Sequence, residues 1–327
     1  EHGAGIMTRG RLVLQRVVIE DNHAYNGEGG GISIVAGDLT VTQSTIRSNF
    51  ARNGAGVFAL GNPRIEISES TVSDNSTTIS GGIGGGLLIA DQAVLTMRDS
   101  TISANWTKGY GGGLYESSSG LVDLSRVTIA FNRAGAYAGL YGGPRVGGSV
   151  LANNTQWDGE PRQCSAIYSR SSTEPNLLTS TLGCGFSSST TIVAANPGLG
   201  PLSDNGGPTL THAVLAGSPL IDRYACAAAD QRGVARPQDG NADGVDRCDI
   251  GAFERSVTTV EEASAVVAAG GTVTTDDTGD GTGEADPVET TLTSPVAGTI
   301  TITENDSGGT GPADGFDAQG QIVDIDA

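Results

Sequence analysis

Gly29-Gly30-Gly31-Ile32, Leu39-Thr40-Val41-Thr42, Thr45-Ile46 and Ser48-Asn49 follow one another along one short stretch, and the same succession returns throughout the first 154 residues. A cluster of small residues leads into an aliphatic one. An alternating run follows, then a second run that closes on Asn. The copy before it runs from Gly3-Ala4-Gly5-Ile6 through Leu12-Val13-Leu14 and Val18-Ile19 to Asp21-Asn22. Later copies start at Gly54-Ala55-Gly56-Val57, Gly84-Gly85-Gly86-Leu87, Gly111-Gly112-Gly113-Leu114 and Ala138-Gly139-Leu140. The closing asparagines are Asn22, Asn49, Asn75, Asn105, Asn132 and Asn154, at steps of 27, 26, 30, 27 and 22 residues. A repeat of that length cannot bury its apolar face alone and must stack on its neighbours, so it defines a solenoid.

The runs Leu39-Thr40-Val41-Thr42, Ile65-Glu66-Ile67-Ser68 and Leu95-Thr96-Met97-Arg98 alternate with period two. Apolar residues on one side and polar ones on the other specify half-buried strands, and the β-branched content excludes helical repeats. One repeat has room for three short strands and three bends. Stacked in parallel at roughly 4.8 Å, six copies make a column about 30 Å long. The 50 glycines are expected to turn its corners, where positive φ or close backbone approach is needed. The closing asparagines are expected at an equivalent bend, pointing inward and hydrogen-bonding up the column as a ladder. Solvent-facing turn asparagines are the alternative.

The Gly-Gly-Gly-Ile/Leu and Ser/Asp-Asn repeats resemble the polymorphic outer-membrane protein repeats of secreted bacterial β-helices. The segments Gly198–Thr209, Gly217–Asp222, Asp230–Pro237 and Cys248-Asp249-Ile250-Gly251-Ala252-Phe253-Glu254 are similar to the C-terminal part of choice-of-anchor Q surface proteins, often found with a CSLREA element. The resemblance spans roughly residues 1–255 and implies a right-handed parallel β-helix on an extracellular bacterial protein. It implies no catalytic residues.

Net charge is −19, and 14 of the 37 acidic residues lie in 256–327, which contains no Lys or Arg. The composition therefore breaks near Phe253-Glu254-Arg255-Ser256. Three domains are expected: regular rungs over 1–154, irregular rungs and a terminal cap over 155–255, and an acidic β-sandwich over 256–327. Acidity argues against nucleic acid and against docking on anionic lipid. No apolar run is long enough for a transmembrane helix. The chain opens inside a repeat, as expected of a mature or truncated product whose export signal is gone.

Cys164 and Cys184 are 20 residues apart, and Cys226 and Cys248 are 22 apart, each close to one turn of the column. The spacing favours disulfides Cys164–Cys184 and Cys226–Cys248, each contributing on the order of 3 kcal/mol. Disulfides suit an oxidising, extracellular setting. Zinc is the competing reading, but no C-x-x-C pair exists and the histidines are only His2, His23 and His212.

Beyond the repeats, Thr191-Ile192-Val193-Ala194 and Asp249–Phe253 are expected strands. In the tail, Gly271–Thr275, Val288–Leu292, Gly298–Thr303 and Gln321–Ile325 alternate and suit a small sandwich. The stretch Thr275–Gly281 followed by Ala285–Thr290 is similar to the choice-of-anchor U domain.

Asp239-Gly240-Asn241-Ala242-Asp243-Gly244-Val245-Asp246 places oxygen donors at positions 1, 3 and 5 and Gly at 6, which is how a calcium loop begins. An EF-hand needs Glu at position 12, where Ile250 stands, so Asp246 or Asp249 would have to supply the missing carboxylate. A plain Asp/Asn/Gly turn is the alternative. Asp276, Asp280, Glu284 and Asp286 form a weaker candidate in a segment already dense with acids.

For polysaccharide cleavage the candidate carboxylates are Glu66, Glu69, Asp99 and Asp123, with Arg98 and Arg126 nearby. An outward polar face explains them equally. Tyr110, Tyr115, Tyr137 and Tyr141 flank two successive Gly-rich bends, as a carbohydrate-stacking strip or as packing over the glycines. No nucleophile elbow, Walker loop or dinucleotide fingerprint is present, and no organic cofactor is expected. The first rung, Gly3-Ala4-Gly5-Ile6, is expected to need a cover, by upstream residues or by another copy. A strand containing Ile322, Val323 and Ile325 is a candidate for donation to a neighbour. The expected protein is a non-catalytic structural or adhesive surface protein, with head-to-tail stacking into a filament as its extended form. A glycan-binding or glycan-cleaving β-helix, and a passive module of a longer anchored protein, are the alternatives.

Overall fold

The computed structural model describes residues 5–77, 79–117, 120–187 and 190–256, and further on the strands Val273–Thr274, Thr291–Thr293 and Thr301–Thr303. Among the described residues there is no helix. The chain divides into two units, Glu1–Val257 and Thr258–Ala327.

One turn shows how the repeat becomes a column. After Gly54-Ala55-Gly56 the strand Val57–Ala59 runs along one wall. The chain bends at Gly61, continues as Arg64–Ser68, bends at Glu69 and resumes as Thr71–Ser73. It then bends at Asp74-Asn75 and runs as Ser76–Thr77 toward the next glycine cluster. Equivalent strands of successive turns pair in parallel. Ile32, Val57, Leu87, Leu114 and Leu140 fall in one register, and Leu39, Ile65, Leu95 and Val122 in another. The first wall has six strands, so about six turns stack into a parallel β-solenoid. Ile32, Ile34, Leu39, Val41, Ile46 and their equivalents fill one continuous buried core. Each such side chain contributes about 1.5–3 kcal/mol through burial.

The asparagines form a column inside this core. The side chains of Asn22, Asn49, Asn75, Asn105 and Asn132 each donate Nδ2–H to Oδ1 of the next closing asparagine, at 2.9–3.0 Å, ending on Asn154. Asn154 donates in turn to Gln163 Oε1 at 2.8 Å. Each Oδ1 also accepts the backbone N–H of the asparagine one turn before. The third small residue of each cluster is Gly because this ladder rises against it. A Cβ at Gly86 would lie 2.6 Å from the Gly113 carbonyl and 3.0 Å from Asn105 Cγ.

Glycine turns fewer corners than its abundance suggests. The residue before each ladder asparagine has positive φ, yet it is Asp21, Ser48, Asp74, Ala104, Phe131 or Asn153. The bend between the two long-wall strands likewise uses Arg16, Gln43, Glu69, Asp99 and Arg126. Left-handed backbone at these residues costs roughly 1–2 kcal/mol each, and the ladder bonds at the same bends offset it. A second ladder, absent from the sequence reading, accompanies the first. Ser44, Ser70 and Ser100 each accept, through Oγ, the N–H of the equivalent residue one turn earlier.

Residues 155–255 begin with short, irregular rungs. Rungs continue through Ala166–Ser169, Leu177–Leu178 and Ile192–Val193. Residues 197–255 then lie along the side of the column as a strap. Outward-facing Thr71, Thr101, Ser103 and Thr128 hold it, bonding to Leu210, Gln231, His212 and Ala252 respectively. Higher up, outward Ala130, Val150, Ala152 and Leu177 pack with Val214, Leu220, Ile221, Ile250 and Phe253 into a second core. The outer face of this strand row is small, hydroxylated or apolar, so it needs a cover. Asp249–Phe253, expected as a strand, is irregular strap backbone. Its polar groups are satisfied partly by side chains, with Arg236 donating to the carbonyls of Asp249 and Gly251, and partly by isolated backbone bonds such as Ile250 N–H to the Leu220 carbonyl.

In the second unit the three short strands pair antiparallel. The expected sandwich lies otherwise outside the described residues, as do Gly3, Ala4, Ile322, Val323 and Ile325.

Candidate functional site

The disulfides join Cys164 to Cys184 and Cys226 to Cys248, with Cα atoms 4.8 and 5.9 Å apart. The first belongs to the column, where Cys164 bridges Leu140. The second lies within the strap, so its near-turn spacing is not that of stacked rungs. Two disulfides fit a non-cytoplasmic, oxidising compartment. No helix among the described residues is long and apolar enough to cross a membrane.

The strap residues that carry the surface-protein resemblance are occupied with its own construction. Arg236 and Glu254 form a fully buried ion pair at 3.2 Å. Glu254 accepts the N–H groups of Gln238 and Asp249, and Asp230 pairs with Arg232, whose guanidinium lies 3.6 Å over the Phe253 ring. Gln231 bridges Thr71, Thr101 and Thr209. Backbone groups satisfy most of the remaining lone pairs and protons, as a buried ion pair requires, while Arg236 Nε has no partner.

The calcium-loop residues divide. Asp239 accepts the N–H of Asp243 at 3.2 Å and of Gly244 at 2.7 Å, Asn241 accepts that of Asp243, and Asp243 that of Val245. Asp246 is exposed at the end of the loop. Asp249 does not join them. It is fully buried, and its two oxygens accept the N–H groups of Asp222 and Arg255. Burial first, then Glu254, pushes its carboxyl up to about 7. Among the described residues no three His, Cys, Asp or Glu side chains converge to the spacing of a metal centre. Asp276, Asp280, Glu284 and Asp286 lie outside the described residues.

The four carboxylates considered for cleavage do not occupy equivalent positions. Glu66 and Asp123 lie in one outward strand column with Thr96 between them. Glu69 and Asp99 stand at the corner column, where side chains pair vertically. Arg16 donates to Gln43 and Gln43 to Glu69, and Arg126 makes a two-pronged pair with Asp99 at 2.6 and 2.9 Å. Asp123 pairs with Arg170 at 2.6 Å. Two open clefts, about 410 and 420 Å³ in volume, are lined by other residues.

The tyrosines do converge. Tyr115 and Tyr141 stack with centroids 4.8 Å apart at 12°, and Tyr110 lies 5.2 Å and Tyr137 5.6 Å from Tyr141. Tyr115 and Tyr141 continue the outward register of Phe58 and Leu88, while Tyr110 and Tyr137 come from the preceding bends. Tyr110 is 46% exposed. Beneath them Glu116 occupies the inward position that Ile34, Ala59 and Ile89 fill in other turns. Its carboxylate accepts the N–H groups of Val122 and Gly143 at 3.1 and 2.9 Å. No spacing rule would have singled out this acid in an aliphatic column.

Residues 2–132 match the protein family described as "Right handed beta helix region". The parallel column over these residues has the fold that the match describes. No curated protein and no solved structure matches it.

Proposed function

We propose that this is an extracellular surface protein with a structural or adhesive role, its column acting as a rigid arm whose side faces make the contacts. The observation that carries this reading is the disposition of the outward carboxylates. Asp99, Asp123 and Glu69 are engaged in pairs along the column, and none of them lines either cleft. Glycoside cleavage needs two carboxyl groups facing each other across a substrate path, roughly 5–10 Å apart. The buried ladder and the strap add rigidity that a spacer needs. In its finest form the proposal has copies stacking end to end into a filament.

A second reading, glycan binding, is favoured by the tyrosine quartet. Clustered rings with polar rims offer stacking surface at low entropic cost. Electron microscopy of the purified protein, alone and with soluble glycans, separates these readings. Regular fibres repeating at one subunit length support polymerisation. Dispersed particles that bind glycan, and lose binding in Tyr110→Ala, support the quartet. Release of new reducing ends or unsaturated sugars from an acidic polysaccharide overturns the non-catalytic reading.

A further inference from the structure

The loop Asp239–Asp246 meets a residue that its own sequence does not contain. Asp222, 17 positions before the loop begins, accepts the N–H of Gly240 through Oδ1 at 3.2 Å. Asp222 is only 7% exposed, and its other oxygen, Oδ2, is buried without any hydrogen-bond partner. A buried carboxylate oxygen left without donor or cation is costly. Arg223 and Arg247 line the same cleft as Asp222, but neither makes a hydrogen bond to this oxygen. Burial first, then Asp239 and Asp243, push the Asp222 carboxyl above its ordinary value, against the opposing pull of the Gly240 and Asn241 backbone N–H groups. A site that gathers negative charge around an unsatisfied oxygen is one that a hard cation completes.

The three carboxylates do not stand at metal spacing as the loop lies. We infer that the exposed loop closes on Asp222 so that Asp222, Asp239 and Asp243, with Asn241 and water completing the shell, bind one calcium ion that fastens it. Calcium suits this set because it takes six to eight oxygen ligands in flexible geometry, whereas magnesium demands a near-ideal octahedron. The loop is already turned for the task. The Asp239 carboxylate gathers the N–H groups of positions 5 and 6, and Gly244 has the positive φ, +81°, that the sharp turn requires. Asp243 is exposed, so swinging it onto the ion disturbs no packing. Asp249, the deep carboxylate that sequence spacing suggests, instead orients Asp222 by accepting its N–H at 2.8 Å. The ion thus bridges Asp222, just before Cys226, to a loop inside the stretch that the Cys226–Cys248 disulfide closes. The inference is independent of the proposed role of the protein, which stands or falls on other measurements.

The test uses the whole protein, freed of metal by chelation and titrated with calcium chloride by calorimetry and thermal melting. One site is expected, with a dissociation constant of about 1 mM or tighter, as extracellular calcium modules show. At about 10 mM calcium the melting temperature should rise by roughly 3–10 °C, and magnesium should do much less. Asp243→Asn, at an exposed position the fold does not need, should weaken binding at least about tenfold. Asp222→Asn should abolish the calcium response while leaving the metal-free melting temperature equal or higher, because it removes an unpaired buried charge. A merely structural Asp222 would give the opposite pattern, a lower metal-free melting temperature with calcium affinity intact, and that result overturns the inference. So does an absence of calcium binding at about 10 mM in the unmodified protein, or an Asp243→Asn variant with unchanged affinity.

Discussion

Glu116 stands where the repeat calls for an aliphatic residue, and its titration follows from that place. Burial raises its carboxyl from the ordinary 4.5 to about 7, against the opposing pull of the Gly143 and Val122 N–H groups. The folded protein therefore holds this proton more tightly than the unfolded chain does. The contribution is fully present below about pH 4.5 and is lost as pH rises through about 7. Its size is on the order of 2 kcal/mol. Urea denaturation of the native protein at about pH 5 and about pH 7.5 should show that loss. Glu116→Gln, which cannot ionise, should lose correspondingly less across the same interval. Identical pH dependence in the two proteins would show that Glu116 is not the group responsible.

The strap is the element that the repeat does not foretell. It crosses the outward Thr71, Thr101 and Thr128 and closes on the column where Gly251 donates its N–H to the Gly148 carbonyl at 2.8 Å. Gly251 has φ +105°, and a Cβ there would lie 2.8 Å from Thr128 Oγ1 and 2.9 Å from Val150 Cγ2. Gly251→Ala should thus lift this end of the strap, at a cost of about 2 kcal/mol from backbone strain and contact together. The expected readout is faster amide exchange in residues 205–255 with unchanged protection in the column. Loss of protection in both would mean that the strap and the column unfold as one unit.

The whole column behaves as a one-dimensional stack in which each turn depends on its neighbours. Asn105 lies at its middle. Its side chain accepts the N–H and Nδ2–H of Asn75 and donates to the Val72 carbonyl and to Asn132 Oδ1. Asn105→Ala would strand these buried partners. At about 1–3 kcal/mol for each unsatisfied group, with partial relaxation, a loss on the order of 4 kcal/mol is expected. Equilibrium denaturation should show it, with exchange protection falling most in the turns closed by Asn75 and Asn132. A loss below about 1 kcal/mol would mean that water enters and replaces the ladder.

The column was legible from the residues because its causes are local and repeated. Period-two alternation sets which side chains of Leu39–Thr42 face inward, and the recurrence of Gly86 and Asn105 at each turn reflects the close approach of one turn to the next. The Cys164–Cys184 pair was legible for the same reason, from spacing, whereas Cys226 and Cys248 share that spacing without lying on stacked rungs. What only the tertiary structure decided has its causes far apart in the chain. Thr101 meets Gln231 because the strap turns back along the column, and Tyr110 meets Tyr141 because stacking brings two bends and two strands to one place. Asp222 comes to the Asp239 loop while Asp249, nearer to it in sequence, faces away into the strap. Periodicity specifies the environment that every turn shares. A residue that departs from the period takes its role from whatever the fold lays against it, and that is a property of the folded chain alone.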